Sequence, residues 1–280
     1  MPDVVSSLNA LAALPGVPEQ TAAAREACTQ LRWHEALRRR IPEASAESRV
    51  RGAQASAALE GANLPVDLVR DLMRGARRWP AQPDPVEQVA KGVVQATAET
   101  EHVSPLLRTA PLQALARLHV AAATGLVDDD QLGRPRQQGE ECAEFVDLGP
   151  APGAAEARDR LSGLVEVLLA GEGVPAVVVA AVVHAEIAHV RPFVRGNGVV
   201  ARAMERAVIH STGLDPTGVV VPEAGHGAQG GPAYLGALAA YGTGTREGLA
   251  LWLGHCSDAI VAGAAEGARI CDAVRAGRLA

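Results

Sequence analysis

The tripeptide Gly196-Asn197-Gly198 constrains this chain more than any other feature; it lies in the segment His184 to Arg206, HAEIAHVRPFVRGNGVVARAMER. An apolar-periodic helix from Val174 to Val190 precedes it, Pro192 bars a simple continuation, and a second helix resumes after it to about Thr212. Two glycines around an asparagine permit positive φ values, so successive backbone N–H groups converge on one point. The N-terminus of the second helix adds unpaired N–H groups and the positive end of its dipole. The expected product is an anion-binding cradle, most naturally for phosphate. Arg191, Arg195 and Arg202 surround it in sequence, and Arg202 falls about one helical turn inside the new helix, able to face the same anion. The tripeptide alone would equally suit an ordinary helix–turn–helix with solvated arginines.

The rest of the chain reads as helices. Hydrophobic residues make up 48% and aromatics only 2%, so Ala, Val and Leu do the packing, which suits closely approaching helices. Helical stretches are expected over Thr21 to Arg40 (stopped near Pro42), Ser45 to Leu59, a short one from Pro65 to about Gly75, Pro85 to Glu101, Leu112 to Thr124 and Ala154 to Ala170. Pro232 to Tyr241 and Glu247 to Arg278 close the chain. Between Gly125 and Gly153 the periodicity fails, glycines and prolines punctuate, and only Cys142 to Leu148 looks extended, which fits a short β-hairpin or surface flap. A net charge of −6 argues against a general nucleic-acid binder. Cys28, Cys142, Cys256 and Cys271 are scattered without CxxC spacing, so reduced, mostly buried thiols are expected. Neither end reads as a signal peptide, and the most apolar run, Ala176 to Val183, is too short to span a bilayer; the expectation is a soluble, cytoplasmic protein without membrane partners.

The central segment resembles the signature of the Fic (Fido-fold) family, HPFx(D/E)GNGRxxR. Pro192, Phe193, Gly196, Asn197, Gly198 and Arg202 fall in register, and His184 stands seven residues ahead of the first signature position, as in many relatives. Downstream, Tyr234 to Leu238 and Leu251 to Leu253 are similar to the family's closing helices; upstream, Gly133-Arg134-Pro135-Arg136 resembles the turn into its target-docking flap. The resemblance covers roughly residues 105 to 260. In addition, Ser56-Ala57-Ala58-Leu59-Glu60-Gly61 fits the family's inhibitory pattern (S/T)xxxE(G/N). It implies an all-α Fic fold with a small β-hairpin flap: an N-terminal helical region over 1–104 with the inhibitory helix at about 45–61, a core over 105–215 with the flap at about 133–150 and the signature at 191–202, and C-terminal helices over 216–280. It further implies that Glu60 pairs with Arg202 and obstructs placement of ATP or another nucleotide at Arg191, Phe193, Arg195, the cradle and Arg202. Phe145, Val146 and Leu148 of the flap would dock a protein target as an added strand. Relatives also form dimers, so a homodimer is a further expectation.

Departures from the signature qualify the activity that the resemblance implies, transfer of AMP to a protein hydroxyl. Arg191 stands at the position of the histidine base, Arg195 at that of the metal-binding acid, and Val199 at that of the first arginine. A guanidinium stays protonated at neutral pH and cannot act as a base, and Mg²⁺ wants carboxylate and water oxygens. The reading is therefore a degenerate protein that retains nucleotide or phosphate binding with impaired AMP transfer, with Mg²⁺ doubtful and no metal site. Two alternatives stand beside it: an enzyme transferring another phosphate-containing group, and a non-catalytic regulatory protein. His189 is a weak substitute base, since it lies about 200° around the helix from Arg191. His184, Glu186 and His189 do not match the HExxH zinc spacing, and His210, His226 and His255 show no interpretable spacing.

Overall fold

The computed structural model describes residues 3–170 and 173–278. Its α-helices are, in chain order, Val4–Ala12 (α1), Val17–Arg32 (α2), Ile41–Leu59 (α3), Val66–Met73 (α4), Pro85–Val103 (α5), Pro111–Ala123 (α6), Ala154–Leu169 (α7), Ala176–Val190 (α8), Asn197–Ser211 (α9), Pro222–Gln229 (α10), Gly231–Gly242 (α11) and Arg246–Arg275 (α12). Prolines open several of them, because a first-turn residue has no intrahelical use for its N–H. Pro42, expected as a stop, instead begins α3, and the preceding helix ends at Arg32 with a 3₁₀ turn over Glu35–Arg38. Pro85 opens α5 behind a capping box, in which Asp84 accepts from the amides of Val86 and Glu87 and Glu87 reaches back to the Asp84 amide.

Helix α8 is the axis of the core. Between Val177 and Val190 only Glu186 falls short of full burial, as expected of a helix apolar on every side. It packs against α7, α9 and α12, and Trp252 of α12 donates its indole N–H to the Ala181 carbonyl at 2.8 Å. Helix α5 lies between α3, α6 and α9. Helix α12 is long and apolar enough, by length and composition alone, to cross a membrane, but 61% of its apolar window is buried inside the protein, against neighbours that include α2, α10 and α11. That apolarity serves the core.

Two helices escape sequence reasoning. The start of the chain, ahead of the first helix expected from the sequence at Thr21, forms α1 with Asp3 as its N-cap. Helix α10, with three glycines counting its C-cap, has no sequence periodicity of its own; it forms because Gly225 lets it press against the Ala259 backbone of α12, where a Cβ would collide.

The expected β-hairpin flap is not there. Among the described residues no strand occurs; Thr124 and Val127 make an isolated bridge, and Val146–Leu148 is a 3₁₀ turn. The reason lies in where the backbone hydrogen bonds go. Arg136 donates to the carbonyls of Glu140 and Pro152, and Arg191 to those of Glu144, Phe145, Gly149 and Pro150. Guanidinium groups thus satisfy acceptors that a partner strand would otherwise need, and Pro150 and Pro152 offer no N–H to one. Phe145 at φ 52° and Gly149 at φ 81° turn the chain away from extended geometry.

Candidate functional site

The cradle forms at the start of α9. Gly196 adopts φ 85°, a conformation that favours glycine, and the Asn197 side chain clamps the turn by accepting from Phe193 N and donating to Phe193 O, both at 2.9 Å. The Phe193 ring stacks on His119 at 3.8 Å between centroids, and His119 Nε2 bonds the Arg195 carbonyl at 3.1 Å. Burial pushes the His119 pKa down to about 4. The N–H groups therefore point at one place, and the chain's own Glu144 occupies it. Its Oε1 accepts from Gly196 N at 2.6 Å, and its Oε2 accepts from Asn197 N at 2.9 Å and Asn197 Nδ2 at 2.7 Å. Burial raises the Glu144 pKa above the ordinary carboxylate range, although these donors pull the other way.

Beside the cradle, Arg202 is buried and reaches α3. Its Nε donates to Ser56 Oγ at 2.8 Å, and its NH2 group to Glu60 Oε1 at 2.5 Å. Glu60 caps the C-terminus of α3, and Gly61 follows at φ 83°, so the helix ends where its last carboxylate can turn into the cleft. Glu60, Glu144, Phe145, Gly198, Arg202 and Tyr234 are among the residues around a cleft of about 310 Å³, and among the described residues no histidine lines it.

The other sequence-selected residues lie elsewhere. Arg191, at φ 44°, ends α8 and turns its guanidinium onto the flap carbonyls. The Arg195 side chain is exposed. His189 is buried with Nε2 at 2.7 Å from the Leu238 carbonyl. Of the flap trio, Phe145 and Val146 both line the cleft, Val146 with 72% of its surface exposed, and Leu148 packs on the core.

The expectation that arginines at 191 and 195 leave the chain without a metal-holding acid is overturned. His184 of α8, Glu205 of α9 and His226 of α10 are buried together, with ligand atoms within 4.8 Å of one another. The acid is a glutamate, Glu205, so the doubt about Mg²⁺ that rested on Arg195 loses its ground. A set of two imidazoles and a carboxylate nevertheless suits zinc-type ions better than Mg²⁺. Burial pushes the His184 pKa down to about 4; burial alone would raise that of Glu205, but His226 and His184 outweigh it and hold the carboxyl below its usual range.

No family model matches the chain, and no curated protein matches it. Solved structures do. Fic-1 of C. elegans (residues 134–508) superposes with a TM-score of 0.68 at 17% identity, over 93% of this chain and 73% of that one. A Fic family protein from Desulfovibrio desulfuricans G20 gives 0.65 at 18%, over 95% and 76%. A Fic domain containing signaling protein from Bacteroides thetaiotaomicron VPI-5482 gives 0.61 at 14%, over 90% and 98%. The fold is the Fic fold. At such identity the likeness extends to the fold alone.

On this Fic-fold frame, sequence reasoning had singled out Ser56, Glu60, Phe193, Gly196, Asn197, Gly198 and Arg202. It missed Glu144, Glu205 and His226. Glu144 sits in an aperiodic loop with nothing local to mark it, and Glu205 and His226 meet only through the packing of α9 and α10. The sole hint was His184, apolar on both sides in sequence and so destined for the core with its polar ring nitrogens in need of partners.

Proposed function

We propose that the cleft at the start of α9 binds the phosphates of a nucleotide, and that the chain holds it occluded with two of its own carboxylates. The observation that carries this reading is the seat of Glu144: a carboxylate resting on two consecutive backbone N–H groups and an asparagine amide marks where an anionic oxygen is wanted. Arg202, buried one turn further on, supplies the positive charge for a second phosphate, and Glu60 occupies it. Transfer of AMP to a protein hydroxyl is impaired on this reading, because among the described residues no imidazole lines the cleft to take up the hydroxyl proton, which typically costs about 10²- to 10⁴-fold in rate. A ligand that displaces Glu144 also frees residues 145–148, the part of the flap expected to meet a protein target.

Calorimetric titration with ATP and with pyrophosphate, comparing wild type with Glu60→Gly, tests the reading. Binding in the variant with weak or no binding in wild type supports it. If neither form binds either ligand, the cleft is not a phosphate site.

A further inference from the structure

Glu205 lies at the centre of the core with imidazoles from two neighbouring helices in reach. His184 Nδ1 is 2.6 Å and His226 Nε2 2.8 Å from its Oε2. Its other oxygen, Oε1, is buried and has no hydrogen-bond partner among the described residues. A buried carboxylate oxygen without a donor needs a partner, and the nearby arginines are already committed: Arg202 to Glu60, and Arg206 to Glu223 at 2.7 Å. Each histidine also carries a partner on its second nitrogen, His184 Nε2 with the Tyr234 hydroxyl at 2.8 Å and His226 Nδ1 with His255 Nε2 at 3.0 Å. Here the inner nitrogens face Glu205 Oε2 as N–H donors; with an ion bound, the outer nitrogens would donate to these partners instead and the inner ones would turn their lone pairs to the ion, as around metal-bound histidines generally.

We propose that His184, Glu205 and His226 bind one divalent transition-metal ion of the zinc type, with Glu205 Oε1 among its ligands. Two nitrogens and a carboxylate are a common zinc set, whereas Mg²⁺ asks for an all-oxygen octahedron. Ligand distances of about 2.0–2.2 Å require the three side chains to shift from their present arrangement, in which both nitrogens converge on Oε2 rather than Oε1. The ligands come one each from α8, α9 and α10, so the ion ties three successive helices and its role is structural. Through Tyr234, which both holds His184 and lines the cleft, the ion steadies one wall of that cleft. This inference stands whether or not the cleft takes phosphate.

The full chain, purified in chelator-treated buffers, is assayed for metal by mass spectrometry before and after zinc add-back and desalting. About one zinc per chain is expected in wild type and close to none in Glu205→Gln or His226→Gln. Prolonged chelation should lower the wild-type unfolding temperature by several degrees, and zinc should restore it. Should the buried variants fail to fold, the wild type decides alone: cobalt in place of zinc must give the visible ligand-field bands of a low-coordinate nitrogen and oxygen site. Wild type that takes up neither ion and unfolds identically with chelator overturns the proposal. So does retention of zinc by folded Glu205→Gln and His226→Gln, since the ion would then lie elsewhere.

Discussion

Glu60 and Arg202 close on each other across the cleft, Oε1 to NH2 at 2.5 Å, although 142 positions separate them in sequence. Arg202 is 1% exposed, so the carboxylate is the charge partner of a guanidinium that water hardly reaches. A charge-assisted bond of this kind contributes about 1.5–3 kcal/mol, which an incoming phosphate must first forfeit. Glu60→Gly should therefore bind ATP or pyrophosphate roughly 10- to 100-fold more tightly than wild type in calorimetric titration. Equal affinities would mean that Glu60 guards nothing.

Glu144→Gln keeps the shape of the plug and removes its charge, turning an amide N–H₂ toward N–H groups that want an acceptor. Sulfate, whose charge is constant across the range, should bind the variant more tightly than wild type at pH 7. Because burial raises the Glu144 pKa, the ionised plug costs folding stability at neutral pH, and that cost is relieved as pH falls through the raised value. Sulfate binding by wild type should accordingly tighten as pH falls toward the carboxylate range, approaching the variant's. Parallel pH profiles for the two proteins would remove Glu144 from the cradle's chemistry.

These two carboxylates also show what the sequence made legible. Glu60 was expected to meet Arg202 only through the resemblance to the family pattern (S/T)xxxE(G/N); as the end of a helix followed by Gly61 it would have been unremarkable. Glu144 had no such frame: it lies in a stretch where glycines and prolines erase periodicity, and its partners are over fifty positions away. The helices followed from apolar spacing nearly everywhere, since their periodicity is local. The flap was misread as a hairpin because an apolar run between turn residues does not disclose that Arg136 and Arg191 will take its carbonyls. Glu205 and His226 were illegible for a related reason, as only the crossing of α9 and α10 brings them together.

His119 gives the fold a pH dependence of definite sign. Its pKa is depressed to about 4 by burial, below the ordinary histidine value of 6.5, so the unfolded chain binds the extra proton between those values and the folded one resists it. Stability is then present above about pH 6.5 and lost as pH falls, on the order of 1.4 kcal/mol per pH unit for this one group. Protonation would also deprive the Gly133 amide of its acceptor, His119 Nδ1 at 2.9 Å. Denaturant melts at pH 7 and pH 5 should show wild type losing more stability than His119→Phe, whose ring can still stack on Phe193. Equal losses would assign the acid sensitivity to other groups.

Arg191 fastens the flap, and its removal should free that segment without melting the core. Its guanidinium serves the carbonyls of Glu144, Phe145, Gly149 and Pro150, at 2.8 to 3.3 Å. Arg191→Ala would leave them to water, so amide hydrogen exchange over residues 140–153 should accelerate about 10-fold or more, a loss of over 1.4 kcal/mol of local protection, while α8 and α9 stay slow. The backbone separates two contributions at this position. At φ 44° a side chain is strained and glycine is not, so Arg191→Gly should open the flap equally yet be more stable than Arg191→Ala by about 1 kcal/mol. Because the loosened flap no longer holds Glu144 over the Gly196 and Asn197 amides, both variants should also bind sulfate more tightly than wild type. Unchanged exchange in the flap, with unchanged sulfate affinity, would show that the segment is held by its apolar contacts and that Arg191 merely accompanies them.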